Sequence, residues 1–273
     1  MSPTAGHAQY DQETIVTQGD DGRWHGHLSP RWNIGENPNG GYLLACALNA
    51  MARSVDHPDP LTVTTHFLRP GSPDAPFDVD VQVLRSGRSV STVRATLAQK
   101  DKVRVEMLAA FGDLTQNAGI DTELEPHPTY TLPPPADCPL RSGQTQGLHL
   151  PIMDRLEVRL NPDHAQAGES EDAVISGWIQ FADGRAPDSL SLAMFADAFP
   201  PSLLTRLGVI GWVPTLELTV QVRRRPAPGW IQAEFHTADL QGGRMIESGM
   251  LWDQAGHLVA QSRQLGLVMR RDD

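Results

Sequence analysis

The chain has 273 residues, 40% hydrophobic and 20% charged, which excludes a disordered or fibrous protein and leaves room for one large domain or two of roughly 130 residues. A formal net charge of −11 and a pI near 5.3 argue against a nucleic-acid surface, and Arg223-Arg224-Arg225 reads as a solvated strand end rather than a phosphate groove. Cys46 and Cys138 make no disulfide framework, no apolar run reaches membrane-spanning length, and Met1 to Tyr10 lacks the order of a signal peptide, so a cytoplasmic protein without membrane insertion is expected.

In chain order, residues 14–16 and 23–34 are predicted as short strands joined by the turn Gly19-Asp20-Asp21-Gly22. His25 and His27 share a strand face, but no third ligand stands at a metal-binding spacing, so they read as surface histidines and no metal or cofactor is expected. The turn cluster Asn37-Pro38-Asn39-Gly40-Gly41 then feeds a helix over 42–52 that is apolar almost all round and must be covered on most sides. Its paired glycines leave the Gly41 and Tyr42 N–H groups placed to face a ligand.

Strands follow at 61–69, 77–83, 89–98 and 103–111. In 77–83 apolar and polar residues alternate strictly, as in a sheet with one face buried, and the last two strands form a hairpin through Gln99-Lys100-Asp101-Lys102. Over 114–151 the periodicity fades and prolines concentrate, notably Pro133-Pro134-Pro135, which predicts a linker. The order then returns: strands at 156–160 and 174–181, a helix at 189–198, and strands at 215–224, 230–237, 244–252 and 257–269.

Landmarks repeat at nearly constant offset. Pro70 and Pro226 lie 156 positions apart, Gly87 and Gly243 also 156, Gly112 and Gly266 154, and Asn49 and Asp197 148. This predicts two copies of one unit, with an N-terminal half over 1–113, a linker over 114–151 and a C-terminal half over 152–273. A helix too apolar to lie on a surface, followed by an antiparallel sheet, suggests a sheet curled around it. The expected fold is α+β, a double hotdog.

Several stretches resemble the thioesterase II type of double-hotdog acyl-CoA thioesterase. They are Asn39-Gly40-Gly41-Tyr42 at the first helix, His66-Phe67-Leu68-Arg69-Pro70-Gly71, Leu84-Arg85-Ser86-Gly87-Arg88-Ser89, and Gln264-Leu265-Gly266-Leu267-Val268-Met269-Arg270. The resemblance implies a catalytic set of Asp, Thr and Gln, which falls on Asp197, Thr215 and Gln264, with Thr219 as the alternative threonine. Two departures stand out: a shorter segment between Asp197 and Thr215, and Asn49 where a first-half carboxylate would stand, which implies one working site per chain.

Thioester hydrolysis needs an attacking group and a place for the charge that develops on the carbonyl oxygen. Asp197 would activate water or attack directly, Thr215 and Gln264 would orient water, and the Gly41 and Tyr42 amides would polarise the carbonyl. The expected function is hydrolysis of an acyl-CoA to free acid and CoA. The alternatives are a non-catalytic acyl or acyl-CoA carrier on the same fold, and a hydratase, which would want a His that neither helix start carries. An exposed sheet edge suggests a homodimer or higher homo-oligomer, with acyl-CoA rather than nucleic acid as partner.

Overall fold

The computed structural model describes residues 8–116, 119–120, 125–143 and 149–269. Most of the Met1 to Tyr10 stretch, parts of the predicted linker and Arg270 therefore lie outside the described residues.

A short helix α1 (Gln9–Glu13) opens the fold, followed by β1 (Thr17–Gln18) and β2 (Trp24–His27). The first predicted strand falls a few residues early, because Thr14 caps α1 instead: its hydroxyl donates to the Tyr10 carbonyl at 2.8 Å. Residues 23–34 do not form one strand either. Pro30 starts a single 3-10 turn, and β3 (Asn33–Ile34) pairs with β4 (Asn37–Pro38) as a separate small ribbon. His25 is held by Asp78 at 2.7 Å and by Asp21 at 3.0 Å.

Helix α2 (Gly40–Ala52) starts where the glycine pair predicts, and ten of its thirteen residues are buried. Asn39 caps it, its side-chain oxygen accepting the Tyr42 N–H at 3.0 Å. Truncating one fully buried member, Leu48→Ala, would cost about 2–5 kcal/mol. The sheet that covers α2 continues with β5 (Asp59–Phe67), β6 (Pro76–Ser86), β7 (Ser91–Gln99) and β8 (Lys102–Gly112). The β7–β8 turn places Lys100 and Asp101 at φ of 50° and 60°, the left-handed pair that a two-residue hairpin requires.

The second half supplies β9 (Leu156–Leu160), β10 (Val174–Phe181), α3 (Ser191–Phe195), α4 (Leu203–Leu207), β11 (Thr215–Val222), β12 (Ile231–Gln241), β13 (Arg244–Trp252) and β14 (Leu258–Leu267). The expected long second helix is a correction: α3 has five residues, and Pro200-Pro201 prevents continuation before α4 begins. Five residues still bury completely, and α3 packs on α2.

Twelve strands join into one antiparallel sheet in the order β1-β2-β6-β7-β8-β5-β11-β14-β13-β12-β10-β9. Each half contributes six consecutive strands in mirror-image order, and the halves meet where β5 pairs with β11. Thr64 lies opposite Thr219 at this seam, their hydroxyls 2.9 Å apart. The predicted linker carries little regular structure but is tied down along the second half. The indoles of Trp252 and Trp178 donate to the Pro126 and Pro133 carbonyls at 2.8 and 2.9 Å, and Leu140 bridges to Arg159 on β9.

Candidate functional site

Asp197 lies just past α3, against the first turn of α2. Its Oδ2 accepts the Gly41 N–H at 2.6 Å and an Asn39 Nδ2–H at 3.1 Å, while the same Asn39 amide reaches the Asp197 main-chain oxygen at 3.1 Å. The close approach depends on glycine. A Cβ on Gly41 would stand 2.9 Å from the Met194 carbonyl oxygen and 3.0 Å from the Asp197 Cβ.

This corner opens on a cavity of about 270 Å³ lined by Phe67, Phe199, Trp212 and Phe235 on its apolar walls. Its polar lining includes Asn39, Arg141, Asp197, Thr215, Glu247 and Gln264. The three residues implied by the resemblance therefore share one cavity. Thr215 stands at a bulge where β11 slips its pairing with β14, and its hydroxyl donates to Gln264 Oε1 at 3.2 Å. Thr219 is instead engaged at the central seam, with Thr64 and with Glu217 Oε1 at 2.5 Å. The segment between Asp197 and Thr215 holds α4 and contributes Gly211, Trp212, Val213 and Pro214 to the cavity wall.

The first-helix amides are placed differently from the expectation. The Tyr42 N–H is consumed by the Asn39 cap, and the Gly41 N–H points at the Asp197 carboxylate, because a helix N-terminus takes the nearest anionic acceptor. The Gly40 N–H, at the first helical position, has no acceptor within the helix, and Gly40 lines the cavity.

Three neighbours were not singled out from the sequence as site residues. Asn39 looked like a turn residue and is both cap and carboxylate donor. Arg141, from the proline-rich stretch, is buried and donates to the Ala198 carbonyl beside Asp197. Glu247 is buried on β13, where Oε1 accepts Gln264 Nε2–H at 2.6 Å and Oε2 accepts the Ser202 N–H at 2.7 Å. Its signal was available: in β13 the inward positions are Met245, Glu247, Gly249 and Leu251, so a carboxylate interrupts an apolar face.

The electrostatics favour a base. Burial pushes the Asp197 carboxyl up to about 6, with Glu247 pushing the same way and the Gly41 N–H, Asn39 and Arg141 pulling down. Burial likewise raises Glu247 above the usual carboxylate range, against hydrogen bonds from Ser202, Gln264 and Thr237. Burial lowers Arg141 to about 10, partly opposed by Asp197. Among the described residues, no group of His, Cys, Asp and Glu forms a metal cluster, and no helix is long and apolar enough to cross a membrane.

Comparison with known proteins identifies the fold and the family. The chain is 28% identical to a crystal structure from Thermobifida fusca YX described as a candidate thioesterase II, with a TM-score of 0.86 over 98% of this chain and all of that one. It is 25% identical to a conserved hotdog-fold protein of unknown function from Alicyclobacillus acidocaldarius, TM-score 0.82, over 96% and 98% of the two chains. An uncharacterised protein of Mycobacterium tuberculosis H37Rv is 26% identical over 90% of each sequence. The fold is of the hotdog kind, also found in more distant dehydratase domains. The family model for the acyl-CoA thioesterase N-terminal domain matches residues 28–112 and that for the C-terminal domain matches residues 134–268. Between them these matches cover well over half of the sequence, and the chain belongs to the acyl-CoA thioesterase family.

Proposed function

We propose that this chain is a double hotdog that hydrolyses acyl-CoA thioesters with Asp197 as general base. The observation that carries the reading is Asp197 itself, a carboxylate raised to about 6 at the end of an apolar helix, sharing one cavity with the Thr215–Gln264 pair. At neutral pH it is mostly ionised yet basic enough to take a proton from water.

In this reading water attacks the thioester carbonyl carbon as its proton passes to Asp197, with Thr215 holding the water by its hydroxyl oxygen. The tetrahedral intermediate then expels the thiolate, which takes the proton back from Asp197, leaving acid and CoA–SH. Polarisation of the carbonyl falls to the N-terminal end of α2, where the Gly40 N–H and the helix dipole meet the cavity. The apolar walls suit an acyl group, and the cavity contains no His among its lining residues, which disfavours hydration chemistry.

The test is release of free thiol from a panel of acyl-CoAs of graded chain length. Turnover by the native protein and loss of about 10²–10⁴ in kcat for Asp197→Asn are expected. Tight acyl-CoA binding with no thiol release would favour the carrier reading instead, and an Asp197→Asn protein as active as the native one would remove Asp197 from the chemistry.

A further inference from the structure

Thr237, Glu247 and Gln264 stand opposite one another on β12, β13 and β14, a polar row crossing an otherwise apolar face. The β11 bulge brings Thr215 to the end of that row. Hydrogen bonds along the row have a direction, and only one group in it cannot reverse. The Ser202 main-chain N–H can only donate, so Glu247 Oε2 must accept it. With Glu247 ionised the other carboxylate oxygen is an acceptor as well, and Gln264 turns its NH2 towards it, at 2.6 Å. That leaves Gln264 Oε1 for Thr215, whose hydroxyl proton is thereby committed at 3.2 Å.

We propose that Glu247 is a positioning residue that sets the orientation of the Gln264 amide and, through it, makes the Thr215 oxygen an acceptor towards the cavity. This rests on the thioesterase reading above. A water between Thr215 and Asp197 then meets two acceptors. Both its protons are spoken for, and the lone pair that remains is aimed away from them, where the thioester carbonyl would lie. Reversing the amide would turn Thr215 into a donor towards the same water and misdirect that lone pair.

Glu247→Gln keeps the shape and reverses the row. The Ser202 N–H still needs an acceptor, so Gln at 247 offers its NH2 to Gln264, Gln264 answers with Oε1, and its own NH2 faces Thr215. The expected result is a kcat about 10- to 100-fold lower with KM within about twofold, as misorientation without lost binding requires. The exchange Glu247→Gln with Gln264→Glu puts the carboxylate next to Thr215, restores the hydroxyl as donor to position 264, and recovers most of the lost kcat. Unchanged kcat in Glu247→Gln, or no recovery in the exchange, overturns the proposal. The native protein and Asp197→Asn assayed alongside separate the two failures: no thiol release by the native protein removes the thioesterase reading, whereas full activity in Asp197→Asn removes only Asp197 from the chemistry. A readout independent of turnover is the side-chain amide resonance of Gln264 in ¹⁵N-glutamine-labelled protein, identified by its loss in Gln264→Glu. It should move markedly in Glu247→Gln, and a resonance that stays in place shows that Glu247 does not orient the amide.

Discussion

Asp197 stands past the C-terminal end of α3, beside the start of α2; Asp59 stands at the other end of α3, where Ser189 leads into the helix. The Asp59 carboxylate accepts the Ser189 hydroxyl at 2.7 Å, the Leu114 N–H at 3.0 Å and the Arg225 guanidinium at 2.8 to 3.0 Å. Burial pushes its carboxyl up, but Arg225, Leu114 and Ser189 outweigh that and hold it below the usual range. The Asp197 carboxylate accepts from the Gly41 N–H and from Asn39, Arg141 pulls it down through its charge, and burial wins. Two aspartates flanking one helix thus sit in opposite settings: a guanidinium in direct contact makes Asp59 an anchor, while Asp197, with Arg141 acting only through its charge, is left with the raised carboxyl that the proposed base requires.

The contrast is broken most severely at Asp197. Beyond the expected loss of kcat, Asp197→Asn should leave the melting temperature at pH 8 unchanged or higher, because ionising a carboxylate whose folded pKa is raised costs the folded state. Asp59→Ala should do the reverse. Unfolding in urea would register a loss of about 2–3 kcal/mol, below the roughly 3–5 kcal/mol of a fully buried broken pair because Arg225 is half exposed, with kcat per folded molecule unaltered. A drop in both parameters for either variant would mean that the two ends are not separable.

Acid sharpens the same comparison. If Asp197 is the base proposed above it must be ionised to act, and kcat/KM should fall about tenfold per pH unit below about 6, where Asp59 is still ionised and holding. The stability that Asp59 supplies is present above the ordinary carboxylate range and is lost only as pH falls through its lowered value, so inactivation should precede acid unfolding. Coincident transitions in a pH titration followed by activity and by circular dichroism would contradict this order. The smallest effect is expected at Asn49, whose side-chain NH2 donates to the Thr14 hydroxyl at 2.9 Å. Asn49→Asp should create no second site, because the side chain at this position is engaged with Thr14 and does not line the cavity. It should cost about 1–2 kcal/mol by facing a carboxylate with the Thr14 carbonyl, and active-site titration should still count one site per chain.

Much of this was legible in the residues, and the rest was not for identifiable reasons. Strict alternation in 77–83 and the Gly-Gly start of α2 are local signals, and the strands at 156–160, 174–181 and 244–252 appear with those same bounds. Asp197 was conspicuous as a carboxylate in an apolar run. That run also misled, since Ser189 to Ala198 is apolar enough to read as a full helix, while the chain leaves the helix after Phe195 and Pro200-Pro201 prevents its return. Arg141 could not be found by pattern, because its place depends on how a proline-rich stretch with no periodicity lies across the second half. Glu247 was findable and missed; a charge on the buried face of an alternating strand marks a group that the fold must satisfy.

The seam between β5 and β11, with Thr64 facing Thr219, joins the two halves of the sheet within one chain. A dimer of identical copies is obliged to be the same at both ends: every gain at one corner is duplicated at its mate, and so is every liability. Writing both halves into one chain lifts that obligation. In this chain one end of α3 holds a buried acid beside an open cavity, while its other end is braced by Asp59 and Arg225.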